Sequence, residues 1–210
     1  MANKYSNLAV LESKWVKRRN YSVKPVFDLL CHVTLGSSDR FHYETINSNI
    51  SARDAIQRIS VDSMHTCIYF ATHGSKGKIH LYNKSDIIEI NEISDIIRDT
   101  KSHSERNISG VYFGSCSTIN DANAKLFLNS NNSLNWIAGY QKNVDWIDST
   151  VLDTLFFQYL FNNKLNMTYE LSMVKKAADL LKDRCKGLIK ELRFSIYVKN
   201  SSNQIVNLML

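Results

Sequence analysis

Only one proline and seven glycines occur in 210 residues, so the chain has no material for a long flexible linker. No internal repeat is visible, which excludes solenoid and propeller arrays. Cysteine is sparse as well: Cys31, Cys67, Cys116 and Cys185 are widely spaced, with no rhythm of paired ligands. A disulfide framework or a zinc site would want closer pairs, so free thiols in a reducing compartment are expected, with no metal. His65 and Cys67 are two apart and share one side of a strand, but no further ligand accompanies them. No uninterrupted apolar stretch approaches the roughly 20 residues of a membrane span. Met1 to Tyr21 holds no apolar signal core ahead of its charges, so a cytoplasmic address without membrane association is expected.

What is present is ordinary for a globular protein: 44% hydrophobic and 22% charged residues. The length suits one domain spanning 1–210. The net charge of +6 is unevenly spread: residues 1–60 carry +4, residues 61–163 carry −3 and residues 164–210 carry +5. A nucleic-acid protein concentrates basic charge with aromatics at its working surface. Here the segment holding His73 and Cys116 is the acidic one, so nucleic acid is not an expected partner, and the basic cluster Lys14–Arg19 reads more simply as a solvated face than as a binding patch.

Strand and helix patterns alternate along the chain. Asn7–Leu11, Phe41–Ile46, Thr66–Ala71, Ile108–Phe113, Trp136–Gly139 and Phe194–Val198 read as strands, and Lys78–Tyr82 as a hairpin return. Pro25 opens a helix with apolar positions Val26, Leu29, Leu30 and Val33. Further helices are expected at Ala52–Ile59, Ile93–Arg98 and Ala122–Leu128, the last started by Asn120-Asp121. Ser149 and Thr150 with Asp153 resemble a capping box, and Tyr169–Leu192 reads as one long amphipathic helix with Cys185 on its core side. Such alternation predicts an α/β fold, a three-layer α/β/α sandwich around a mostly parallel sheet.

Two of the strands end alike. Cys67–Ala71 runs through Thr72 into His73-Gly74, and Gly110–Phe113 runs through Gly114-Ser115 into Cys116-Ser117-Thr118. Ligands in open α/β sheets sit beyond the carboxyl ends of strands, where these two side chains are placed. An imidazole and a thiol meeting there form a general base and a nucleophile. Five of the seven glycines (Gly74, Gly77, Gly110, Gly114 and Gly139) lie in or beside these segments. His80, in the hairpin return, is a candidate accessory, whereas His32, His42, His65 and His103 have weaker contexts.

These strings resemble the caspase-like clan of cysteine peptidases, in particular its CHAT and separase-like branch. The matching residues are Ile68–Gly74, Gly114–Thr118 and Trp136-Ile137-Ala138-Gly139-Tyr140, the last leading through Val144-Asp145-Trp146 into a helix. The separation of 43 residues between His73 and Cys116 is close to the roughly fifty of caspases. The resemblance covers residues 5–165 in order of elements, although its specific motifs are a few short strings. It implies a caspase-like fold and endopeptidase activity, with His73 as base and Cys116 as nucleophile. Backbone amides at Gly74 and Cys116 would form the oxyanion hole. It implies no cofactor, a protein or peptide substrate, and roles in bacterial (including antiviral) defence or cell death, any sensor or regulatory protein being a separate partner.

The chain departs from that clan where specificity is set. Caspases place Gln-Ala before the nucleophile, and Arg/Lys-directed relatives place an Asp two residues before it, where Gly114 stands here. Asp145 is a candidate floor for a basic substrate side chain, or else a helix-start charge together with Asp148; Trp146 either lines a pocket or belongs to the core. The competing function is a catalytically inactive fold acting as an interaction module.

Overall fold

Leu8, Ala9, Val10 and Leu11 are all fully buried, because the strand they form is covered on both faces. The side chains alternate: Leu8 and Val10 enter one core, Ala9 and Leu11 the other. The computed structural model describes residues 6–15, 21–62, 64–82, 85–100, 108–162 and 171–210. Most of the Lys14–Arg19 cluster, His103 and the Tyr169–Glu170 start of the expected long helix lie outside them.

In chain order the elements are β1 (Leu8–Glu12), α1 (Lys24–Leu35), β2 (His42–Thr45), α2 (Asn49–Val61), β3 (Cys67–Ala71), β4 (His73–Ser75), β5 (Lys78–His80), β6 (Ile87–Glu89) and α3 (Ile90–Asp99). There follow β7 (Gly110–Phe113), α4 (Asp121–Asn129), β8 (Trp136–Tyr140), α5 (Trp146–Asn162), α6 (Leu171–Arg184), α7 (Lys186–Leu192), β9 (Phe194–Lys199) and β10 (Ile205–Asn207). Seven strands make the central sheet in the order β10-β9-β8-β7-β3-β1-β2. Strands β2, β1, β3, β7 and β8 run parallel, while β9 and β10 close the edge antiparallel. Helices α1, α5, α6 and α7 pack on one face and α2, α3 and α4 on the other. The fold is the α/β/α sandwich expected from the alternation.

The chain leaves β1 toward β2 on one side, then crosses to build β3, β7 and β8 on the other. The sheet therefore reverses its order between β1 and β3, the place where open α/β sheets form a crevice. A second, three-stranded sheet, β4-β5-β6, projects from the end of β3. In its register His73 pairs with His80 and Gly74 with Ile79.

At three places the elements depart from the local sequence pattern. In α1 the buried residues are Phe27, Leu30 and Cys31, whereas Leu29 and Val33 are exposed. The ring of Phe27 packs against Tyr69 and Phe157 and fixes the helix's rotation, an aromatic preference that aliphatic spacing does not carry. The expected single helix over Tyr169–Leu192 is interrupted at Cys185, which leaves helical geometry (φ −128°) and is only half-buried. Its surroundings are Arg184 at the end of one amphipathic run and Gly187 at the start of the next, so apolar spacing passes over a real break. The proposed capping box at Ser149 sits inside α5, which starts at Trp146. Asn120 does cap α4, accepting the N–H groups of Ala122 and Asn123.

Candidate active site

His73 follows β3 by two residues and Cys116 follows β7 by three, and these strands are hydrogen-bonded neighbours. Two features hold the strand ends together. The hydroxyls of Thr72 and Ser115, one residue ahead of His73 and Cys116 in each segment, share a buried hydrogen bond of 2.9 Å. Gly74 lies so close to the other loop that a Cβ there would stand 2.6 Å from the carbonyl oxygen of Cys116 and 2.3 Å from Thr118 Oγ1. Only a residue without a side chain permits that approach.

Behind Cys116 the backbone turns sharply, with Ser117 in the left-handed region at φ +52°. The N–H of Ser117 donates to the Lys142 carbonyl at 2.9 Å and its hydroxyl to Asn143 Oδ1 at 3.0 Å, fixing the turn to the loop before α5. The Cys116 sulfur accepts the Val144 N–H at 3.4 Å. It is half-buried and lines an open cavity of about 510 Å³. Both His73 and Cys116 open into that cavity, as do Thr72, Gly114 and Ser149. They are not hydrogen-bonded to each other: the sulfur rests on Val144, and His73 Nε2 lies 3.1 Å from the Trp15 carbonyl. Because a carbonyl only accepts, Nε2 carries the proton in the neutral ring and Nδ1 keeps the lone pair.

Trp15 is placed by Glu12, a buried acid at the end of β1. Its carboxylate accepts the Trp15 indole N–H (2.8 Å), the Ser22 hydroxyl (2.6 Å), the Val23 N–H (2.9 Å) and the Tyr43 hydroxyl (2.7 Å). Burial, then this carboxylate, pushes the Tyr43 phenol up to about 12. The Trp15 ring meets the His73 imidazole edge-on, with centroids 5.1 Å apart.

The remaining cysteines and histidines separate from the pair. Burial pushes the Cys31 thiol up to about 12 and that of Cys67 well above its ordinary value, so neither forms a thiolate near neutrality. Cys67 points into the core, and His65 is paired with Asp62 at 3.4 Å. Among the described residues no group of three His, Cys, Asp or Glu is placed to hold a metal ion. His80 hydrogen-bonds Ser75 at 2.6 Å, and burial, then the charge of His73 across the hairpin, holds it below 6.5.

No known protein family and no curated protein matches this chain. The site therefore rests on its own geometry. Asp145 takes the second of its two readings: it is exposed, and its Oδ1 accepts the N–H groups of Ile147 (2.8 Å) and Asp148 (3.1 Å), capping α5. It is not part of the cavity wall, whereas Trp146 is. Asp153, read as a capping-box residue, is instead buried beneath the site, taking hydroxyls from Tyr69 (2.6 Å), Tyr112 and Tyr140. Glu12, Trp15, Thr72 and Ser115 were not anticipated. A hydroxyl residue ahead of each reactive one, and an acid ending an apolar strand, were the signals available in the sequence.

Proposed function

We propose that this chain is a cysteine endopeptidase of caspase-like fold, working through a His73–Cys116 dyad by way of a thioester. The observation that carries it is the delivery of one imidazole and one half-buried sulfur, from neighbouring parallel strands, to a single open cavity. His73 Nδ1 takes the proton from the Cys116 sulfur as the substrate settles between them, and catalytic hydrogen bonds commonly close only then. The thiolate attacks the scissile carbonyl carbon, forming a C–S bond and an oxyanion. Backbone N–H groups of Gly74 and Cys116 stabilise that oxygen. Collapse breaks the C–N bond as His73 returns its proton to the leaving amine, and water, deprotonated by His73, hydrolyses the thioester. The Trp15 carbonyl favours the imidazolium that forms in between, through its bond to Nε2–H. No cofactor enters this sequence, and its partners are a protein or peptide substrate and a separate regulator.

One observation favours the rival reading of an inactive interaction module: the sulfur and the imidazole are each bonded elsewhere, to Val144 and Trp15. Peptidyl electrophiles and peptide cleavage separate the two. Cys116 is expected to label stoichiometrically; Cys116→Ala abolishes labelling, and His73→Ala slows it by about 10²- to 10⁴-fold. A sulfur that reacts no faster than a thiol in an unfolded peptide, with no substrate cut, would overturn the peptidase reading.

A further inference from the structure

The cavity beside Cys116 has a largely apolar outer wall. Among the described residues no Asp, Glu, Lys or Arg lines it; its outer wall is Trp15, Tyr21, Val144, Trp146 and Ile147. The Tyr21 and Trp146 rings touch at a centroid distance of 5.7 Å, and Ile147 is 62% exposed, an apolar side chain held in solvent at the cavity mouth. Apolar groups so placed gain by covering one another with a further apolar group.

Two nearby acids that would serve a basic side chain are turned away. Asp145 spends its carboxylate on the first turn of α5. The position two before the nucleophile is filled from below: a Cβ on Gly114 would stand 2.2 Å from the Tyr69 hydroxyl oxygen, which is committed to Asp153. A carboxylate there has no room. Asp153 itself is 5% exposed and surrounded by three phenols, so it presents no free charge to the cavity. Among the described residues, a cationic side chain entering this space would lose water without gaining a carboxylate partner.

Resting on the peptidase reading above, we infer that the cavity selects a bulky apolar residue, of the Phe, Leu or Met kind, on the acyl side of the scissile bond. That residue is the one whose side chain must lie beside Cys116 when its carbonyl is attacked. A volume of about 510 Å³ accommodates it together with part of the adjoining peptide, being well inside the range of ligand pockets, about 300–1,000 Å³.

The test uses peptidyl acyloxymethyl ketones that differ only in the residue next to the warhead (Phe, Leu, Arg or Asp), with binding of the four N-acetyl amino-acid amides followed by the tryptophan indole N–H signals in NMR. Of the three tryptophans, Trp15 and Trp146 line the cavity and Trp136 is buried elsewhere as an internal control. Phe and Leu probes are expected to label Cys116 at least about 10-fold faster than Arg or Asp probes, as burial of such side chains implies. Their amides should shift Trp15 and Trp146 but not Trp136. Ile147→Glu, at an exposed position that leaves the core intact, should slow the Phe probe and quicken the Arg probe. Faster labelling by Arg or Asp probes overturns the apolar selection and leaves the peptidase reading standing. Apolar amides that bind where no probe labels keep the pocket's preference and remove the peptidase reading. No shift and no labelling overturn both.

Discussion

Gly74 and Gly114 decide between them how close two reactive loops and one tyrosine come. Each is a position where the next atom outward is already occupied, by Cys116 and Thr118 in one case and by Tyr69 in the other. Gly74→Ala therefore forces the His73 and Cys116 loops apart instead of merely restricting the backbone. Overpacking of this kind costs about 1–3 kcal/mol. Urea denaturation of Gly74→Ala should show a loss in that range, and the Cys116 labelling rate should fall with it. An unchanged rate in a folded variant would mean that the close approach does not set the dyad. The Thr72–Ser115 hydrogen bond acts at the same scale, since it ties the residues immediately ahead of the base and the nucleophile.

At the scale of elements, α5 carries both the cavity wall and the cap that removes Asp145 from it. The Oδ1 atom of Asp145 satisfies two N–H groups that would otherwise face solvent unpaired at the helix start. Asp145→Ala should destabilise by about 0.5–2 kcal/mol, while Asp145→Asn or Asp145→Ser should lose little. Thermal melts read this directly. Cleavage or labelling preference should be the same in wild type and Asp145→Asn; a changed preference would return Asp145 to the specificity machinery. The other helices were legible to different degrees. Asn120 announced α4, because a capping side chain is local chemistry. The rotation of α1 and the break at Cys185 were not, because each depends on what packs against the helix.

For the molecule as a whole, Asp153 links the two scales to stability. Burial is the leading cause that raises its carboxyl from 3.8 to about 6, opposed by the hydroxyls of Tyr112, Tyr140 and Tyr69. A raised folded value means that the folded protein holds this proton more tightly than the unfolded chain. The associated stability is complete below pH 3.8 and is lost as the pH rises through about 6. The difference corresponds to about 3 kcal/mol. Relative to Asp153→Asn, which cannot titrate, the wild type should become progressively less stable between pH 4 and pH 7. Chemical denaturation of both proteins across that range tests it, and parallel curves would show that Asp153 does not titrate there.

The sequence by itself determined the class of fold, the strands that carry His73 and Cys116, and their placement at carboxyl ends, because burial on both faces and strand-end glycines leave a periodic, local record. It did not determine what surrounds them. Glu12, Trp15 and Tyr43 are brought together from β1, β2 and the loop between, and Asp153 meets Tyr69, Tyr112 and Tyr140 from four separate elements. Only the tertiary structure decided that the acids near the nucleophile are spent on a helix cap and on phenols, since a carboxylate's role is set by the donors that reach it through space.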